Sequence, residues 1–233
     1  MKHVKSLLLP AAFAIAFGNG FACAQADPSI PLPPVEVILK AAAELGAETV
    51  NVEYVKSKLP DLIAKTGKVF VIDSRPARNY DEGYIPTSYN IYDAKFPILY
   101  PEFEKLNLPK DTEIILGLGR PCPMSLSNIK QLKAKGYTNM KAFVKGPDFF
   151  TASYVEVTAK GAKKHVGNGA VLVNLKDDPT LDKFLAANAE KDKPVLLVGD
   201  KANAPINYAA AAKVYGTGFK RTLVFNGDIT AIQ

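Results

Sequence analysis

The stretch VFVIDSRPARNYDEGYIPTSYNIY, residues 69–92, decides the fold class of this chain. Its first five residues, VFVID, form a short apolar run that predicts a buried strand. The polar residues after it, beginning with Asp73 and Arg75, predict a loop. Residues 89–91 near its end predict a second, shorter strand.

Predicted helices and strands alternate on both sides of this stretch. Upstream, residues 35–47 predict a helix that ends near Gly46, and residues 50–67 a short strand and a helix. This alternation predicts an α/β fold, with a mainly parallel sheet flanked by helices and ligands at the carboxyl ends of the strands. Downstream, the predicted elements are a strand at 113–117, a tight loop at 118–123, a helix at about 124–135 and a strand at 140–144.

The chain also contains an internal repeat. Residues 114–137 align without a gap on residues 196–219, so that Gly117 meets Gly199 and Pro123 meets Pro205. The upstream strands align at a shift of 102 rather than 82, so the second copy lacks 20 residues in the region of GYIPTSYNIY. Such self-similarity indicates a duplicated β/α unit.

The N-terminal 26 residues have the pattern of a secretory signal peptide. A basic start with Lys2 and Lys5 precedes an apolar centre and small residues, and cleavage is expected after Ala24 or Ala26. The predicted location is therefore the periplasm or the outside of the cell. A lipid anchor on Cys23 is not favoured, because no aliphatic residue lies three positions before it. No later segment is long and apolar enough to span a membrane.

Charge and cysteine content exclude several classes of function. The formal net charge of +6 falls to +4 without the signal peptide and is spread along the chain, with no arginine-rich stripe for nucleic acid. Cys122 is then the sole cysteine, which excludes an internal disulfide, a zinc finger and a dithiol redox motif. We predict no metal and no cofactor.

Residues 69–92 resemble the rhodanese motif, which has a strand, Asp-x-Arg, an aromatic residue, Gly-His-Ile-Pro-Gly-Ala and Asn-Ile. The matching positions are Asp73, Arg75, Tyr80, Gly83, Ile85, Pro86, Asn90 and Ile91, whereas Tyr84, Thr87 and Ser88 depart from the motif. A second block, Gly136-Tyr137-Thr138-Asn139-Met140, resembles the family's Gly-Tyr-x-Asn-Val. The resemblance implies two rhodanese-like domains in tandem. The expected organisation is a signal peptide at 1–26, an extension at 27–49, a first domain at 50–150, a linker at 151–168 and a shortened second domain at 169–233.

The resemblance also implies sulfur chemistry. Rhodaneses take a sulfane sulfur onto a loop cysteine as a persulfide and pass it to a thiophile, and backbone amides and a helix N-terminus stabilise the anion. In this chain the nucleophile's position falls on Gly117 or Gly119, depending on the alignment, and neither is a cysteine. The second copy has Gly199 and Asp200 in the corresponding place.

Cys122 therefore has three interpretations, which the sequence leaves open. It is a displaced nucleophile or persulfide carrier, a thiol packed between loop and helix, or one half of an intermolecular disulfide. As a carrier, it would be accompanied by four candidate residues for holding the anion: Gly119, Arg120, Met124 and Ser125. Asp73 and Arg75 match a family pair that mainly braces the loops near the site.

Two functions follow from these interpretations. In the first, Cys122 transfers or carries sulfur, with thiosulfate or a polysulfide as the donor and a thiol as the acceptor. In the second, the chain is a catalytically inactive rhodanese module that binds a protein partner or a small anion.

Overall fold

The computed structural model describes residues 33–117, 123–144, 148–187 and 190–232 of the 233-residue chain. Its strands form two parallel sheets, one of five strands and one of four. Within the described ranges, no helix combines the length and the apolar character needed to cross a membrane.

The first sheet has the strand order β1-β5-β4-β2-β3, and all neighbouring strands are parallel. The central strand β4 is buried on both faces, with Ile114, Ile115 and Leu116 inaccessible to solvent. Such burial is characteristic of a parallel sheet covered on both sides. The strands are β1 at Glu48–Val50, β2 at Val69–Asp73, β3 at Tyr89–Asn90, β4 at Glu113–Leu116 and β5 at Met140–Phe143.

Helices connect the strands of the first sheet, and local sequence defines their ends. The Asn51 side chain accepts a hydrogen bond from the Tyr54 amide at 2.9 Å and caps the start of α2. Gly136 follows α5 with φ of 90°, the left-handed conformation in which glycine ends helices. The helices are α1 at Val35–Glu44, α2 at Val52–Ile63, α3 at Ala77–Asp81, α4 at Phe96–Glu104, α5 at Pro123–Ala134 and α6 at Phe149–Ala152.

The second sheet has the strand order β6-β9-β8-β7, again with parallel neighbours. All five residues of its central strand β8 are buried. Its strands are β6 at Val155–Glu156, β7 at Val171–Asn174, β8 at Val195–Gly199 and β9 at Thr222–Asn226, and its helices are α7 at Ala159–Gly167, α8 at Asp182–Ala186 and α9 at Ala204–Gly216.

The two sheets repeat one order of strands. If β6, β7, β8 and β9 are matched with β1, β2, β4 and β5, both sheets follow the same sequence of neighbours. Among the strands that the structure describes, only β3 has no counterpart in the second sheet. This strand lies within the residues that the second copy was predicted to lack, so the shortened repeat and the smaller sheet have a common explanation.

The predicted fold class, α/β with two mainly parallel sheets flanked by helices, is confirmed. The predicted strands at 69–73, 113–117 and 140–144 and the helix at about 124–135 agree with the structure to within one residue at their ends. The predicted domain limits differ from the extents of the sheets. The extension 27–49 contains α1 and most of β1, and the linker 151–168 contains β6 and α7.

The hydrophobic core extends across both domains. One cluster of buried side chains includes Val71 and Ile115 from the first sheet together with Val198 and Leu223 from the second. Two further clusters pack the outer faces of the two sheets against their helices. The shared cluster implies that neither domain completes its core alone.

Candidate functional site

The candidate site lies at the carboxyl edge of the first sheet, where β2 and β4 end. Gly117 directly follows β4, and helix α5 begins at Pro123. In parallel sheets this edge is where ligands bind, because the loops there converge from several strands. Helix α5 also directs the positive end of its dipole toward this edge, which favours anions.

Gly117 has a backbone conformation that residues with a side chain rarely adopt. Its φ is +142°, and a Cβ atom added there would lie 2.2 Å from the carbonyl oxygen of Phe143 in the neighbouring strand. Gly117 is itself buried. One alignment puts the family's nucleophile at this position, and here the close approach of β5 leaves no room for a side chain.

Asp73 and Arg75 form a bidentate ion pair at the end of β2. The Arg75 guanidinium donates through Nε to Oδ1 of Asp73 at 2.9 Å and through its terminal nitrogen to Oδ2 at 2.5 Å. The Arg75 amide donates to Oδ1 at 3.0 Å. Asp73 is fully buried and Arg75 nearly so. Burial raises the pKa of the Asp73 carboxyl, and the Arg75 charge and hydrogen bonds oppose this rise.

This ion pair also fixes the loops that surround the site. Arg75 donates to the carbonyl oxygen of Gly83 at 2.6 Å. The Asn90 side-chain amide bonds the carbonyl oxygens of Asp73 at 3.1 Å and Arg75 at 2.7 Å. Matching motif residues thus hold the strand β2, the turn after α3 and strand β3 together.

A buried asparagine on α5 connects the helix to this edge. The Asn128 amide nitrogen donates to Ser74 Oγ at 2.9 Å and to the Ile91 carbonyl oxygen at 2.6 Å. The sequence analysis did not single out this residue. The signal was a polar side chain directly before Ile129, on the apolar face that also carries Leu132.

Asp93 is a second buried acid near the site, and the sequence analysis missed it as well. It lies in the short 3-10 helix after β3 and is 8% exposed. One of its carboxyl oxygens has no hydrogen-bond partner among the described residues. Burial raises the pKa of Asp93 to about 6, and hydrogen bonds from the Ala94 amide and the Ser127 side chain only partly oppose the rise.

We expect Asp93→Asn to change the pH dependence of stability. Because the folded pKa is above the unfolded one, the wild type gains stability from neutral Asp93 below about pH 4 and loses it as pH rises through about 6. The shift corresponds to about 3 kcal/mol, reduced by solvent screening to about 1–2 kcal/mol.

The measurement is urea unfolding of both proteins at pH 4 and pH 8. From pH 4 to pH 8, the free energy of unfolding of Asp93→Asn relative to wild type should increase by about 1–2 kcal/mol. Asp61→Asn, a change in a partly exposed surface ion pair with Lys68, serves as the control. Equal differences at both pH values for Asp93→Asn would contradict the prediction.

The structure describes only part of the predicted site. Met124 is buried in the first turn of α5, and Ser125 beside it is half-buried. Gly119, Arg120 and Cys122 lie outside the described residues. The described residues contain no group of three His, Cys, Asp or Glu side chains that could hold a metal ion.

Comparison with known proteins identifies the class of the first domain. Residues 56–153 match the family model described as Rhodanese-like domain. This segment holds β2 to β5, the Asp73–Arg75 pair and helix α5. Residues 56–153 are therefore similar to rhodanese-like domains, and this match covers 98 of the 233 residues of the chain.

Solved structures of this family are similar to the chain at low sequence identity. A single-domain sulfurtransferase of Saccharomyces cerevisiae is 18% identical, over 46% of this chain and 89% of its own, with a TM-score of 0.37. The thiosulfate sulfurtransferase of Pseudomonas aeruginosa is 14% identical over 85% of this chain and 47% of its own, with a TM-score of 0.42. SseA from Escherichia coli, a 3-mercaptopyruvate sulfotransferase, is 10% identical over 78% and 98%, with a TM-score of 0.38. The comparison with curated proteins finds no match.

Proposed function

We propose that this chain is an exported sulfur-handling protein that carries a sulfane sulfur on Cys122. The observation that carries the proposal is the position of that thiol. Cys122 is the sole cysteine after the signal peptide, and in a rhodanese-like domain it lies in the connection between β4 and α5. β4 ends at the carboxyl edge of a parallel sheet, where ligands bind.

The proposed reaction has two steps. The Cys122 thiolate attacks the outer sulfur of thiosulfate, the S–S bond of the donor breaks, and sulfite leaves with the bonding electron pair. The resulting persulfide is then attacked at its outer sulfur by an acceptor thiolate, and the Cys122 thiolate leaves. A polysulfide donor reacts in the same way, with a shortened polysulfide as the leaving group. Arg120 and the amides at the start of α5 would stabilise the anions.

A second function has an observation in its favour as well. The aligned nucleophile position at Gly117 admits no side chain in this backbone, because the Phe143 carbonyl oxygen is too close. A domain without its usual nucleophile fits a module that binds a protein partner or a small anion without turnover.

One experiment separates the two functions. Protein purified from the cell envelope is treated with thiosulfate or a polysulfide, and its intact mass is compared with that of Cys122→Ser. Sulfur carriage predicts a gain of about 32 Da in the wild type only, together with alkylation that titrates below about pH 8.

The same mass spectrum gives the first residue of the mature chain, which is expected to be Gln25 or Asp27. Ser57→Ala, a substitution of an exposed serine on α2, is the control that keeps the thiol, and it should still take up sulfur. No added mass, with a thiol that is unreactive or titrates above about pH 8.5, would exclude sulfur carriage and leave the binding module.

A further inference from the structure

Strand β6 connects the two domains through Glu156. The backbones of Tyr84 and Glu156 form an antiparallel bridge, with Tyr84 N donating to Glu156 O at 2.8 Å and Glu156 N donating to Tyr84 O at 2.9 Å. Tyr84 belongs to the motif turn of the first domain, whereas β6 is a strand of the second sheet. Main-chain pairing therefore crosses the domain boundary at this position.

The Glu156 carboxylate receives hydrogen bonds from both domains. Oε2 accepts from the Thr87 amide at 3.0 Å in the first domain and from the Tyr208 hydroxyl at 2.7 Å in the second. Oε1 accepts from the Asn226 side-chain amide at 2.9 Å. Three donors thus converge on two oxygens, and only a group that accepts through both oxygens satisfies them.

The hydrogen bonds continue to the loop after β8. The Asn207 amide donates to Asn226 Oδ1 at 2.8 Å and to the Asp200 carbonyl oxygen at 3.0 Å. A Cβ atom at Gly199 would lie 2.2 Å from the Asn207 side chain. The Asn207 side chain therefore occupies the space beside Gly199 at the carboxyl edge of the second sheet.

Two departures from the rhodanese motif lie at this contact. Thr87, at a motif glycine, has φ of +67°, a conformation costly for a β-branched residue. Tyr84, at the motif histidine, stacks on Tyr80 with ring centroids 3.9 Å apart. Burial raises the pKa of the Tyr84 hydroxyl far above its usual range, and the charge of Glu156 raises it further. The hydroxyl therefore stays protonated and can donate a hydrogen bond.

A second contact crosses the boundary at the start of α7. Thr158 donates through its amide to the Asp81 carbonyl oxygen at 3.2 Å and through its hydroxyl to Asp81 Oδ1 at 2.9 Å. A Cβ atom at Gly161 would lie 1.6 Å from the same Asp81 carbonyl oxygen. Helix α7 therefore packs so closely on the first domain that position 161 has no room for a side chain.

We infer that Glu156 fastens the second domain onto the motif turn of the first, and that the second domain serves as a structural support rather than a second reactive centre. The carboxylate of the second domain accepts the Thr87 amide and so stabilises the strained turn. On either side of that turn, the Gly83 carbonyl oxygen accepts from Arg75, and the Asn90 side chain donates to the carbonyl oxygens of Asp73 and Arg75. Loss of the carboxylate should weaken the hydrogen bonds at the boundary while both sheets stay folded. This inference does not depend on sulfur carriage by Cys122.

The test is amide hydrogen exchange by NMR on the full mature chain and on its Glu156→Gln variant. Glutamine keeps the size of the side chain, but it offers one acceptor oxygen and turns an N–H group toward a donor. Three of the amides that bond across the boundary, those of Tyr84, Thr87 and Thr158, should exchange at least about tenfold faster. The amide of Ile114, which bonds Asn139 O within the first sheet at 3.0 Å, should be unchanged.

Each alternative outcome contradicts the inference. If only the Thr87 amide changes, Glu156 is a local acceptor and does not fasten the domains. If Ile114 accelerates as much as the three boundary amides, the whole fold is weakened and the boundary does not open separately. If no amide changes, the carboxylate is dispensable.

Two further variants complete the design. Glu48→Gln removes the charge that Lys141 contacts at the far edge of the first sheet, and it should leave all four amides unchanged. Tyr208→Phe removes one of the three donors to Glu156, and it should give a smaller acceleration of the same three amides. If Glu156→Gln does not fold, the exchange rates of the three boundary amides in Tyr208→Phe provide the test. Unchanged rates in that variant would then contradict the inference.

Discussion

Arg75→Met is expected to lower the free energy of unfolding by about 3–5 kcal/mol, the cost of breaking a buried ion pair by removing one partner. Methionine replaces the aliphatic part of the side chain but leaves Asp73 with an uncompensated negative charge in the core. The Asp73 side chain is 1% exposed, so water cannot replace the lost donors. The Gly83 carbonyl oxygen loses its donor as well.

The loss of stability in Arg75→Met should also depend on pH. Without the Arg75 charge, burial alone acts on Asp73 and its pKa rises further above the unfolded value. The variant therefore keeps more of its stability in acid, where Asp73 is neutral, and loses it as pH rises through the folded pKa. Denaturant unfolding at pH 5 and pH 8 measures both effects.

Arg78→Met is the matched control, because Arg78 is exposed on the neighbouring helix α3 and should change stability by less than about 0.5 kcal/mol. The double variant Asp73→Asn with Arg75→Met should recover part of the loss, since it removes the buried charge. Equal stability of Arg75→Met and Arg78→Met would contradict a structural role for the Asp73–Arg75 pair.

Gly117→Cys is expected to destabilise the protein by about 2–4 kcal/mol and to confer no sulfur transfer. The new Cβ atom would lie 2.2 Å from the Phe143 carbonyl oxygen, and this neighbour is backbone that cannot rotate away. The φ of +142° adds conformational strain for any residue with a side chain. A cysteine restored at this family position is thus incompatible with the present spacing of β4 and β5.

Gly67→Ala separates the two causes of the destabilisation, steric overlap and conformational strain. Gly67 also has a positive φ, +77°, but a Cβ atom there meets nothing within 4 Å. Strain alone should therefore cost that variant about 1 kcal/mol. Thermal or denaturant unfolding compares the two variants, and persulfide formation is followed by mass on a Gly117→Cys, Cys122→Ser background. A stable variant that gains sulfur at position 117 would show that the edge accommodates the usual nucleophile.

The elements of the first domain could be predicted from the sequence because their signals are local. The apolar run before Asp73, the apolar run before Gly117 and the helix that ends ahead of Gly136 each depend on neighbouring residues. The repeat and its missing segment could also be recognised, since both copies retain the same order of strand, loop and helix.

The environment of the site depended on contacts between residues distant in the chain. Asn128 lies 54 residues from Ser74, and Glu156 lies 69 residues from Thr87. No local pattern encodes such pairs, because a polar residue on an apolar face is interpretable only once its partner is known. The buried acid Asp93 gave no signal for the same reason, since its burial comes from packing against α5.

By itself, the sequence determined the class of fold, the duplication and the class of chemistry to consider. It placed Gly117 at the end of a predicted strand, before a tight loop, but the reason for a glycine there, the Phe143 carbonyl oxygen, belongs to another strand. Only the tertiary structure decided that the two domains share a core and meet through Glu156. Backbone preferences and periodicity act over a few residues, whereas burial and hydrogen bonding at this boundary arise when the two sheets pack together.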